Sequence, residues 1–79
     1  MDMIRPADVI SFRYYDADSG VQEGEGVIFA IEDKQIYIQT ANHVRYNHKM
    51  QQITLPPELI SFPLAHWIGG YLEIKIIDN

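Results

Sequence analysis

Apolar and polar residues alternate along much of the chain. Ile10, Phe12 and Tyr14 are interleaved with Ser11, Arg13 and Tyr15, the period of a strand with one buried and one wet face. Asp16-Ala17-Asp18-Ser19-Gly20 follows, a cluster of turn formers, and the sequence then reads as a loop through Gln22 and Glu23 as far as Gly24-Glu25-Gly26. The unbroken apolar run Val27–Ile31 is too short for a helix and rich in β-branched and aromatic residues, so it predicts a buried strand. Glu32-Asp33-Lys34 is a tight turn, after which Ile36 and Ile38 alternate with Gln35, Tyr37 and Gln39, a hairpin signature. Gly24 and Gly26 ahead of it suggest a bulge or sharp bend.

The second half is more broken. Val44 and Tyr46 alternate with Arg45 and Asn47 in a segment that reads as strand or ordered loop. Ile53 and Leu55 alternate with Gln52 and Thr54 in a short strand stopped by Pro56. Pro57 suits the first position of a helical turn through Glu58, Leu59 and Ile60, which Pro63 keeps from lengthening. Leu64, Trp67 and Ile68 share a face at helical spacing, and Gly69-Gly70 ends that second turn. Leu72, Ile74 and Ile76, alternating with Glu73 and Lys75, predict a final strand.

About five short strands, a long loop after the first and a helical insert before the last predict a mostly all-β fold. Closure removes exposed edges, so the expected architecture is a small β-barrel, and the order of elements resembles SH3-like barrels. Sm-like and OB-like barrels, and then a two-layer β-roll with a helical cap, are the alternatives. Phe12, Phe29 and Trp67 are expected in the core. Tyr14 and Tyr15 must point to opposite faces, so one of them reaches solvent.

Length sets the scale. The 79 residues suffice for one domain, 1–79, which at this size buries only about 60–65% of its unfolded surface. The 47% hydrophobic and 22% charged content is that of a folded globular chain, and the absence of cysteine excludes a disulfide framework and a thiolate metal site. No basic, apolar leader opens the chain, and the longest stretch without Asp, Glu, Lys or Arg, Leu59–Leu72, is interrupted by Pro63 and two glycines. The expectation is a soluble, cytoplasmic protein with no membrane partner.

Net charge is −5, from 11 acids against six Lys and Arg, which argues against a whole-surface binder of DNA or membranes. The charge is unevenly spread. Lys34 to Pro57 holds three cations and no acid, in company with amides and aromatics, the mixture a polar recognition surface needs. The candidate binding face, residues 35–52 with Lys34 before them, is therefore Lys34, Gln35, Tyr37, Gln39, His43, Arg45, Tyr46 and Lys49, on the outer side of the central hairpin and the loop after it. A second candidate is an acidic loop of Asp16, Asp18, Glu23 and Glu25. It begins like a calcium loop but lacks the closing Glu; it reads first as a solvated loop, and functionally as an acidic site for a basic partner.

His43 and His48 are five apart, which on a strand places them on opposite faces, with the nearest acids ten positions away, so no metal site is expected; both read as loop or surface residues. His66, beside Trp67, reads as partly buried with one nitrogen satisfied. No nucleophile elbow or glycine-rich phosphate loop is present, so neither enzyme chemistry, a cofactor nor a small-molecule substrate is expected. The expected function is a non-catalytic interaction module that binds a protein partner or assembles with itself as a homo-oligomer. A nucleic-acid-binding barrel and a small acidic inhibitor or mimic are the other readings.

Overall fold

A computed structural model describes residues 3–18 and 20–78; Ser19, which the sequence groups with the turn formers of residues 16–20, lies outside them. The elements are β1 (Val9–Asp16), β2 (Gly20–Glu32), β3 (Gln35–Tyr46), β4 (Gln52–Leu55), β5 (Leu59–Pro63), α1 (Leu64–Ile68) and β6 (Leu72–Asp78). All strand pairings are antiparallel and form one six-stranded sheet, ordered β4-β3-β2-β1-β6, with β5 also on β3. The long β3 is shared. Its first part pairs with β5 (Gln39 opposite Leu59) and its last part with β4 (Val44 opposite Thr54).

Alternation dictates the core. Ile10, Phe12 and Tyr14 of β1, Ile28 of β2, Ile36 and Ile38 of β3, Phe62 of β5 and Leu72 of β6 are buried. The sheet curls until β5 lies over β1, with Phe62 4.5 Å from Tyr14 and 6.1 Å from Phe12 between ring centroids. It does not close: β6 at one end and β4 and β5 at the other share no register. The short α1 packs against β5 and β6, and its first amide donates to Lys34 O at 2.9 Å. The tight turn before β3 is the two-residue type the strand twist favours, with Asp33 and Lys34 both at positive φ (52° and 62°).

Two expected elements differ, and a third, expected as strand or loop, is strand. β2 starts at Gly20, so the long loop through Gly24–Gly26 is strand. Its inward positions are Gln22, Gly24 and Gly26, which erases the apolar period that would have marked it. Residues 59–60, expected in a helical turn begun by Pro57, belong to β5, whose Ile60 and Phe62 turn inward; this sixth strand satisfies the edge of β3. The segment around Val44 and Tyr46 is the continuation of β3.

Two expected core aromatics also move. Phe29 is 64% exposed: it alternates outward from buried Ile28, at a register shift that leaves it unpaired with β3. Trp67 is half-buried, packed on the margin of the core, while Ile68 on the same helix faces solvent. Tyr14 is buried and Tyr15 exposed under the Arg13 guanidinium, as their alternation requires.

Candidate interaction surfaces

The expected face along 35–52 is split by one residue. Thr40 pairs with Gly26 and Asn42 with Glu25, so Ala41 is a bulge, and beyond it the parity of β3 reverses. Before the bulge Ile36, Ile38 and Thr40 face inward and Gln35, Tyr37 and Gln39 outward. After it His43 turns inward, and Arg45 shares its side of the strand. Tyr46 is on the other side, with its hydroxyl donating to Glu23 Oε1 at 2.6 Å. That bond pushes its ionisation above the usual phenol range, aided by burial and the Glu23 charge.

His43 is therefore not the surface residue expected. It is 3% exposed, edge-on to Phe12 at 5.6 Å, and its Nε2–H donates to Gln22 Oε1 at 2.9 Å. Its Nδ1 is buried with no hydrogen bond and faces Glu58 Oε1 at 3.9 Å. Burial pulls the imidazole pKa below 6.5; Glu58 opposes that pull and Arg45 adds to it. Glu58 is held by its backbone, which bonds Thr40 through the Thr40 N–H (2.9 Å) and hydroxyl.

The cations do not gather. Lys34 sits in the turn before β3 and Lys49 in the turn after it, so the 12-residue strand lies between them, and Arg45, near the end of β3, stays on the Lys49 side. The acidic loop also dissolves. Asp16 and Asp18 stay at the first turn, where Asp16 Oδ1 accepts the Asp18 N–H at 2.9 Å. Glu23 and Glu25 lie within β2, Glu23 ion-paired with Arg13 at 3.7 Å and Glu25 accepting from Asn42 at 3.4 Å. With Ser11, Arg13, Glu73 and Lys75 they border a groove of about 430 Å³.

Residues mostly absent from the expected face form an exposed apolar row. Across the outer side of the sheet, Leu59 lies opposite Gln39, Gln39 opposite Val27, and Val27 opposite Val9. Phe29 extends this row along β2; on β6, Asp78 is opposite Val9, and the exposed Ile77 beside it falls in a register shift. Leu59 is 49% exposed and Ile77 52%. The uninterrupted run Val27–Ile31 hid this, since a run apolar at every position does not show which of its residues face outward.

His48 is exposed, and His66 is half-buried with Nδ1 hydrogen-bonded to the Tyr14 hydroxyl at 2.9 Å. Burial, with the Asp16 charge, raises the Tyr14 pKa. Among the described residues, no three His, Asp or Glu side chains are placed to share a metal ion, and no helix is long and apolar enough to cross a membrane. No protein-family model, curated protein or solved structure matches the chain.

Proposed function

We propose that the chain is a non-catalytic protein-interaction module on an SH3-like, incompletely closed barrel, and that it binds a folded partner through the outer side of β1, β2, β3 and β5. The observation that carries this reading is the exposed row Leu59, Gln39, Val27 and Val9 with Phe29 at its flank. Scattered exposed apolar residues are ordinary, but a registered row is a surface. Gln35, Tyr37 and Gln39 from the expected face border it and supply hydrogen-bonding groups, so an apolar middle meets a polar rim as at protein interfaces. The row carries no charge within a chain of net charge −5, which fits an apolar protein patch better than a polyanion. The separation of Lys34 from Lys49 weakens the nucleic-acid alternative. The pairing of Glu23 and Glu25 with neighbours weakens the acidic mimic.

A photo-crosslinking residue at position 29 tests it in the cell of origin. A single adduct of defined mass is expected, lost when Leu59→Glu is added and kept when Asp18→Ala is added, and the purified partner should bind the parent but not Leu59→Glu. No adduct, or one indifferent to Leu59→Glu in a folded protein, overturns the reading.

A further inference from the structure

β6 is an edge, and it leaves the core unfinished. Its inward side chains Ile74 and Ile76 are half-exposed, whereas Phe12 and Ile10, opposite them on β1, are 3% and 0% exposed. A cleft of about 350 Å³ lies beside them, lined by Ile4, Trp67, Ile74, Lys75 and Ile76. Open edges of this kind accept another strand, and natural proteins usually guard them.

Backbone direction is readable too. The Tyr15 N–H donates to Tyr71 O at 2.9 Å, so by antiparallel alternation Glu73 and Lys75 also turn their backbone groups to β1. Leu72, Ile74 and Ile76 turn theirs to the open edge.

The strand sequence Leu72-Glu73-Ile74-Lys75-Ile76 is complementary to itself when reversed. We infer that β6 is a homodimerisation edge, pairing antiparallel with β6 of a second copy about a two-fold axis at Ile74. In that register Ile74 meets Ile74 and Leu72 meets Ile76 as hydrogen-bonded pairs, using the groups that face the edge. Their side chains lie on the inner side, so the two cores join where each is open. Glu73 of each copy meets Lys75 of the other twice, in the closer, non-hydrogen-bonded pairs on the outer side. Moving the axis one residue sets Glu73 against Glu73 or Lys75 against Lys75, so charge selects the register. An isologous contact of this kind closes at two copies, leaving no β6 edge to recruit a third. The inference shares with the proposed function only the premise that the chain acts by contact, and it uses a different surface.

A charge swap tests it by sedimentation equilibrium of the whole chain over a wide dilution series. The parent is expected to dimerise. Lys75→Glu and Glu73→Lys each place like charges opposite one another twice and should weaken the dimer by about tenfold or more, while the double variant Glu73→Lys/Lys75→Glu should recover it. Ile74→Pro removes an N–H that the monomer's own sheet leaves unused and should abolish dimerisation with circular dichroism unchanged. A parent that stays monomeric, or a dimer indifferent to the swaps and to a folded Ile74→Pro, overturns it. Leu59→Glu should leave the dimer intact, so failure here is separable from failure of the partner-binding reading.

Discussion

The part of β3 before Ala41 and the part after it differ in what they send into the core. From Gln35 to Thr40 the strand behaves as its alternation suggests, with Ile36 and Ile38 wholly buried and Gln35, Tyr37 and Gln39 on the outer side. From Asn42 to Tyr46 the same kind of alternation is inverted: the imidazole of His43 is inside and Val44 lies on the outer side. The cause is one inserted residue, accommodated because Gly24 and Gly26 stand across from it. A cross-strand hydrogen bond to Gln22 makes the buried imidazole tolerable. Stability in the first part comes from apolar contact; in the second it depends on polar groups finding partners.

Breaking the first part should have the largest effect. Ile38→Ala removes a wholly buried side chain and is expected to cost about 4 kcal/mol, much of the margin of so small a domain. Urea denaturation measures it, and a loss under about 1 kcal/mol would show that the core can collapse around the gap. Breaking the junction comes next. A Cβ on Gly24 would lie 1.9 Å from Asn42 O, a backbone atom, so Gly24→Ala must part β2 from β3 at a cost of about 3 kcal/mol. Exchange of the amides beside the clash, at Gly24, Asn42 and His43, should accelerate more than that of Ile36 and Ile38.

The second part is sharpened by pH. The folded protein holds His43 below the 6.5 of the free side chain, so between these values the unfolded chain binds more protons. The contribution of His43 is therefore complete above about pH 6.5 and falls away as pH drops toward the lowered folded value. The urea midpoint should decline over that window, and His43→Leu should flatten this decline. An unchanged slope in a folded His43→Leu would assign the pH dependence to other groups. The smallest effect is expected at the end of β3. Asn47 Oδ1 accepts the N–H groups of Lys49 and Gln51, both at 2.9 Å and both exposed, so Asn47→Ala should cost about 0.5–1 kcal/mol in the same assay.

Legibility of the fold followed the inward-facing side chains. β1, the Asp33-Lys34 turn, β4, α1 and β6 were readable because apolar residues or turn formers mark them. The start of β2 was not, since Gln22, Gly24 and Gly26 carry no apolar signal; β5 was obscured by Pro57, which suits a helical start as well as an extended connector. Of the expected face, Gln35, Tyr37 and Gln39 share one surface, while His43 was lost to it at Ala41. Phe29 and Leu59 were missed because both occur in apolar company, and apolar residues look alike in sequence whichever side of a sheet they take.

Alternation of side chains and the chemistry of short turns are local, so the chain specifies most of its strands and their buried positions without reference to distant partners. The parity of β3 after residue 41 and the open edge of β6 are settled by register between segments far apart in sequence. Register is held by backbone hydrogen bonds that every non-proline residue can make, so a bulge or an unpaired edge becomes definite when the strands are side by side.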